Sequence, residues 1–242
     1  MKNQFNQIMA LCAIGILAII ISGCQNEDFS NENLQENLTS NFGVVHNEVI
    51  GEIYANLPQS KTRSATMTKG EFQSLCVEQA GISTLQRDNT LSPQLIERTI
   101  ADVSLRTVDE IKVSMDDRDR QIIDAICIMI REGKNRSTIE GFIFNSNLNE
   151  QKTQAALNFY ETYEASKTYW SEHGEEWICY IQENVELKPE TRASWYEKIS
   201  WSQVAFSDAY YGWQGTLASG CNVYVGAGSA AAGSIFSALN QL

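Results

Sequence analysis

Two short stretches contain the residue types that acid/base or metal chemistry needs. The first is SEHGEEW, which contains Glu172, His173, Glu175 and Glu176. Carboxylates beside an imidazole could supply an acid/base pair or metal ligands. The spacing differs from that of a His-Glu-x-x-His zinc helix, and Gly174 among mixed charges is typical of one helix ending and another beginning. We therefore predict a helix boundary here, with a functional site as the alternative.

The second stretch is MDDRDRQ, in which Asp117 and Asp119 alternate with Arg118 and Arg120. It lacks the glycine and the distal glutamate of a calcium-binding loop. Aspartates in the first turn of a helix also interact favourably with the positive end of the helix dipole. The pattern therefore favours a solvated first turn over a metal site.

No other motif indicates catalysis. The chain has no Gly-x-Ser-x-Gly, no phosphate-binding loop and no dinucleotide fingerprint. Its two histidines, His46 and His173, do not lie at ligand spacing from a cysteine. We predict no catalytic residue, no metal and no cofactor, and an enzyme acting on envelope polymers is only the third hypothesis.

The N-terminus carries an export signal. Lys2 precedes an uncharged run from Ile8 to Gly23 that is short for a membrane span. The sequence Ile21-Ser22-Gly23-Cys24 resembles the lipobox of bacterial lipoproteins, and the alternative is an ordinary secretory signal. The resemblance implies that residues 1–23 are removed and that Cys24 carries acyl chains. Two or more such chains anchor a protein stably in a membrane.

The segment after Cys24 is predicted to be a tether. Glu27 and Asp28 resemble the signal that exports Bacteroides-type lipoproteins to the surface of the outer membrane. Residues 24–41 are too polar to offset the entropy of ordering, so we expect a flexible linker. Removing residues 1–23 removes Lys2 and no acidic residue, which leaves 17 basic and 30 acidic residues and a net charge of −13. This charge argues against nucleic acid as a partner.

The remaining chain is predicted to be an all-α, multi-helix bundle, because its apolar residues recur at three and four residue steps. Thr68 with Glu71 and Ser92 with Pro93 are helix-start signals, and Gly81 is expected to end a helix. The only strand signal is a short NVYV. The predicted helices cover residues 42–57, 68–81, 92–111, 116–133, 137–143, 149–173, 177–185 and 190–211.

The cysteines and the tryptophans are both predicted to lie mainly in the core. Cys76, Cys127, Cys179 and Cys221 could form two disulfides in any of three pairings, but the first three lie among apolar residues and favour buried thiols. All five tryptophans fall between positions 170 and 213. The aromatic residues that fit the helical stripes least well, and that could instead contact a sugar or protein, are Tyr169, Tyr196 and Trp201.

The C-terminal segment, residues 209–242, has no charged side chain and is treated as separate from the helical domain, residues 42–208. It resembles the glycine-zipper segments of membrane-associated bacterial proteins and small bacteriocins, because a row of small residues would form one smooth helix edge for close packing. That edge comprises Gly226, Ala230, Gly233 and Ser237.

These patterns predict a lipid-anchored cell-envelope protein that binds a protein or glycan partner or acts as a scaffold. The protein is expected to contact the membrane through its lipid anchor. It is expected to lie in the outer membrane and to be exposed on the cell surface. The alternative is a membrane-active or toxin-like lipoprotein whose zipper tail inserts into a target membrane.

Overall fold

The computed structural model describes residues 41–58, 66–187 and 199–242. The predicted all-α fold is confirmed, since every element in these ranges is a helix apart from one isolated bridge between Met67 and Val185. The helices are α1 (Phe42–Asn56), α2 (Lys69–Arg87), α3 (Pro93–Ser104), α4 (Val108–Ser114), α5 (Asp117–Arg131), α6 (Arg136–Phe144), α7 (Glu150–Asn184), α8 (Trp201–Ala218) and α9 (Val223–Asn240).

Polar caps begin the helices largely where the sequence predicts them. Thr68 and Glu71 form the expected capping box of α2, and the Ser92 side chain caps α3 with Pro93 in its first turn. Asp116 and Asn149 cap α5 and α7 in the same way. In each case a side-chain oxygen accepts a bond from an amide that the helix itself cannot satisfy.

The predicted end of α2 at Gly81 is wrong, because the helix continues to Arg87. Gly81 is buried inside the helix, where its missing side chain faces the backbone of Glu97 on α3. The last turn is tied to α1, since the Arg87 guanidinium bonds the Glu52 carboxylate at 2.7 Å. A tertiary ion pair therefore extends the helix beyond its local stop signal.

The predicted single helix over residues 92–111 is two helices. α3 ends at Ser104, and a second capping box, Thr107 with Glu110, begins the short α4. This Thr-x-x-Glu signal is present in the sequence, but the prediction of a single helix rests on the apolar pattern alone, which continues to Ile111.

Gly174 does not mark a helix boundary, because α7 runs unbroken from Glu150 to Asn184. A side chain at this position would lie 2.6 Å from the Trp201 ring, which stacks on Trp170 with ring centroids 5.1 Å apart. The glycine therefore allows the ring of Trp201 to pack directly on the backbone of α7. In the sequence, a glycine that permits this close approach resembles a glycine that ends a helix.

Three further predicted boundaries differ from the structure. The cap of α6 is Asn135, whose side chain accepts from the Thr138 amide, so Ser137 is not the capping residue. NVYV is the start of helix α9, capped by Asn222, and not a strand. The predicted helix over 190–211 is observed as Trp201–Ala218, while residues 188–198 lie outside the described residues.

The core lies around the last two helices. α8 packs against α7 and α9, and α9 also contacts α1, α2 and α3. The division proposed between residues 208 and 209 falls in the middle of α8. The predicted signal segment 1–23 and residues 24–40 of the predicted tether 24–41, including Cys24, lie outside the described residues.

The cysteines and aromatic residues agree with the predicted core except at a few positions. Cys76 and Cys127 are buried, Cys179 is exposed and Cys221 is half-buried, and all four are free thiols. The expectation of a buried Cys179 is therefore wrong. Tyr169 is buried and its hydroxyl accepts a bond from Trp177 Nε1 at 3.0 Å. Trp201 is half-buried, and Tyr196 lies outside the described residues.

Candidate functional site

The charged residues of the SEHGEEW stretch lie on the outer surface of α7, whereas Gly174 and Trp177 are buried. Glu172, Glu175 and Glu176 line a shallow depression of about 470 Å³ together with Glu183. His173 is not part of this lining, and its Nδ1 lies 3.4 Å from Glu176 Oε2 in an exposed contact. Within the part of the chain that the structure describes, no group of three or more His, Cys, Asp or Glu could hold a metal ion. The arrangement is an acidic surface, without an imidazole facing the carboxylates in an enclosed cleft.

The MDDRDRQ stretch divides between the surface and the interior. Asp117 is exposed and pairs with Arg120 at 2.9 Å. Asp119 is buried and bonds Lys152 Nζ at 2.9 Å, so the expectation that it belongs to a solvated turn is wrong. Burial raises the pKa of Asp119, against the opposing effect of Lys152. This aspartate joins α5 to α7.

The small-residue edge of α9 is packed inside the bundle. Gly226 faces the Phe42 ring and Thr216, and a side chain at Gly233 would lie 2.3 Å from the Tyr211 ring. Ala230 is fully buried and Ser237 is half-buried. Of the helices that the structure describes, none is both long and apolar enough to cross a membrane.

A polar cluster lies at the centre of the same region. Asp208 Oδ2 accepts hydrogen bonds from Ser166 Oγ, from Ser234 Oγ at 2.6 Å and from Trp170 Nε1 at 3.3 Å. His46 Nε2 lies 3.9 Å from the same oxygen. Asp208 and His46 are fully buried, and Asp208 Oδ1 and His46 Nε2 have no hydrogen-bond partner.

Burial changes the acidity of both groups. It raises the pKa of Asp208 to about 7 and lowers the pKa of His46 to about 4. In both cases the interior disfavours the charged form of the side chain. An acid, an imidazole and two hydroxyls meet here, yet all of them are enclosed by the bundle. The cluster therefore joins α1, α7, α8 and α9 and does not face a substrate.

An open groove lies between helices α4 and α5 on one side and helices α8 and α9 on the other. Its floor is one face of α8, where Gln203, Phe206 and Tyr210 follow at three and four residue steps. Residues of α4, α5 and the end of α9 form its walls, and it encloses about 540 Å³. This volume is within the range of small-molecule sites. The cavity is called the Lys112–Arg131 groove below.

Two cations lie over aromatic rings in this groove. Lys112 Nζ is 4.8 Å from the centroid of the Tyr210 ring, and the Arg131 guanidinium is 4.9 Å from that of Phe206. Positions 206 and 210 are four apart on α8, so they lie on the same face of this helix, and both cations line the same groove. Within the described ranges, neither cation has an ion-pair partner.

The rest of the groove is rich in neutral hydrogen-bonding groups. The exposed amides of Gln203 and Asn240 and the hydroxyls of Ser207 and Ser237 lie along it. Asp109 is the acidic residue of the lining. The last turn of α9 also ends here, and its final carbonyl groups already accept hydrogen bonds from Gln241 and Lys69. The groove can therefore hold an anion near two cations and hydrogen-bond its polar groups.

Sequence reasoning missed this groove, although Ser237 of the predicted packing edge lies in its wall. The spacing of Gln203, Phe206 and Tyr210 could have indicated a mixed aromatic and amide face. The two cations are far away in sequence, so nothing local connects them to that face. No family model, no curated protein and no solved structure matches the chain.

Proposed function

We propose that the chain is a lipid-anchored cell-envelope protein, attached to the outer membrane through Cys24, whose helical domain acts by binding a protein or glycan partner. The observation that supports binding over membrane insertion is the position of α9. Fourteen of its 18 residues are buried, and it contacts α1, α2, α3 and α8.

Insertion of α9 into a bilayer would require these contacts to open. Ile235, Phe236 and Leu239 are almost fully buried, and burying each such side chain contributes about 1.5–3 kcal/mol. The hydrogen bonds from Ser234 Oγ to Asp208 and from Trp170 Nε1 to Ser234 Oγ would break in the same step. The folded state thus opposes release of the helix.

The predicted tether and the charge of the domain support a role away from the bilayer surface. The tether of residues 24–41 would separate the anchor from α1, and the net charge of −13 after removal of residues 1–23 would repel anionic lipid. A lipidated Cys24 and an acidic domain together fit a protein that is held at a membrane and faces outward.

The binding role is tested against insertion with Gly233→Leu. A leucine cannot fit beside Tyr211, and overpacking of this kind costs about 1–3 kcal/mol, so we expect a lower melting temperature. Gly51→Leu is the matched control, since a side chain at Gly51 meets nothing within 4 Å. The wild-type protein should not release dye from liposomes. Leakage by the wild type, or unchanged stability of Gly233→Leu with altered leakage, would favour the membrane-active alternative.

The anchor is tested separately with Cys24→Ser. We expect this variant to lose labelling by fatty-acid analogues and to leave the membrane fraction, because Cys24 follows the apolar run at lipobox spacing. Cys12→Ser is the control and should leave labelling unchanged. If Cys24→Ser is labelled as strongly as the wild type, the lipoprotein assignment is incorrect.

A further inference from the structure

We infer that the Lys112–Arg131 groove is a binding site for a hydroxylated carboxylate of the sugar-acid type. The inference gives a site and a ligand class to the binding role proposed above, and it rests on that role. It depends on three features of the groove, which are its paired cations, its neutral hydrogen-bonding groups and its size.

The cations specify the negative group of the ligand. Lys112 and Arg131 approach from different helices, and each is held over a ring of α8. Both cations line the same groove, so an anion bound in it would be attracted by each of them. The guanidinium fork of Arg131 matches a carboxylate in a two-bond arrangement. Since the protein as a whole is acidic, an anion would be retained only at such a local cationic site.

The remaining polar groups specify hydroxyl groups on the ligand. The carboxylate of Asp109 accepts hydrogen bonds, whereas the amides of Gln203 and Asn240 both donate and accept. The C-terminal end of a helix also carries partial negative charge, which disfavours a doubly charged phosphate. One carboxylate with several hydroxyls fits this combination, and that is the composition of a uronic acid.

The size and openness of the groove set the length of the ligand. A volume of about 540 Å³ holds one or two sugar rings. Because the groove opens to solvent, the same chemistry could come from a free sugar acid or from the end of an acidic polysaccharide. The two sources differ only in what projects beyond the groove.

The test is calorimetric titration of the lipidated protein, purified in a nonionic detergent, with glucuronate, with a glucuronate-terminated disaccharide and with glucose. We expect both acidic probes to bind and glucose not to bind. Lys112→Gln and Arg131→Gln should each weaken binding about tenfold, because each removes a hydrogen bond to a charged group. Raising the salt concentration should weaken binding as well. Tighter binding of the disaccharide than of the monosaccharide would identify a polysaccharide end as the source.

Two variants serve as matched controls. Lys167→Gln and Arg98→Gln make the same changes in charge at exposed positions outside the groove and should bind like the wild type. Equal binding of glucose and glucuronate, full binding by Lys112→Gln and Arg131→Gln, or no binding of either acid would each overturn the inference. An anchored protein that releases no dye but binds no sugar acid would refute this site alone, whereas leakage would refute the proposed function.

Discussion

The central helix α9 and the outer helix α5 are built from opposite residue choices. Fourteen of 18 residues in α9 are buried, with small side chains on every face. Only five of 15 are buried in α5, chiefly isoleucines on a single stripe. A helix that is surrounded needs neighbours close to its backbone, whereas a helix on the surface needs one apolar face. Stability therefore depends on close approach of neighbours to the backbone for the central helix α9, and on buried apolar area for the outer helix α5.

The largest effect is expected at the centre, from Asp208→Ala. The hydroxyls of Ser166 and Ser234 would lose their acceptor in the interior, and Trp170 Nε1 would keep only its bond to Ser234 Oγ. Leaving buried donors unpaired should lower the free energy of unfolding by on the order of 3–5 kcal/mol. Urea denaturation measures this loss. The exposed Asp117→Ala should cost less than about 1 kcal/mol, and equal losses from the two variants would remove the distinction between centre and edge.

In the wild type, the opposite effects of buried Asp208 and His46 on the pH dependence of stability should largely cancel. The folded pKa of Asp208, raised to about 7, contributes stability that is present below the unfolded value near 3.8 and is lost as pH rises towards 7. The folded pKa of His46, lowered from 6.5 to about 4, has the opposite effect, so stability rises with pH between 4 and 6.5. The two contributions nearly cancel between pH 4 and 6.5. Tyr211 also interacts with Asp208, but burial raises its pKa, which keeps it neutral there.

Single substitutions should reveal each half of this pair. In Asp208→Asn only His46 remains, so stability should increase from pH 4 to 6.5. In His46→Gln only Asp208 remains, so stability should decrease from pH 4 to 7. The total change in the free energy of unfolding across each range should amount to a few kcal/mol, because each unit of difference between the folded and unfolded pKa is worth roughly 1.4 kcal/mol. Melting curves across this range measure it, and parallel profiles for the two variants would contradict the assignment.

A smaller effect is expected from alanine at two helical glycines. At Gly215 a side chain would lie 2.8 Å from Ser229 Cβ and 3.1 Å from the Gly226 backbone, so Gly215→Ala should destabilise the protein by about 1–3 kcal/mol. At Gly51 there is open space, and Gly51→Ala should stabilise by up to about 1 kcal/mol. Thermal denaturation distinguishes the signs. A stabilising Gly215→Ala would show that α8 and α9 can separate without cost.

The smallest effects are expected in the outer helices. Thr107→Ala removes the cap of α4 and should cost about 1 kcal/mol. Val113→Ala, on the exposed face of the same helix, should change stability by less than about 0.5 kcal/mol. Both follow from denaturation midpoints. A large loss at Val113 would instead indicate that this face is covered by a partner.

Much of the helical architecture could be predicted from local patterns. The predicted helix over residues 116–133 is observed as Asp117–Arg131, and the predicted capping box of Thr68 with Glu71 is present, because each depends on residues within a few positions of one another. The predicted breaks at Gly81 and Gly174 failed for the converse reason. A glycine that ends a helix and a glycine that admits a neighbouring helix or ring are identical in the sequence, and only the packed neighbour distinguishes them.

For the candidate site too, some features follow from local sequence patterns and others only from tertiary contacts. Local sequence patterns predict the helical class, several of the helix starts, the acidic charge and an uncharged C-terminal segment, since these depend on composition and on short spacings. The folded structure is needed to show that this segment lies in the core, that His46 lies beside Asp208, and that Lys112 and Arg131 each lie over a ring of α8. Such contacts join residues from about 75 to 162 positions apart, and no local period records which helices pack together.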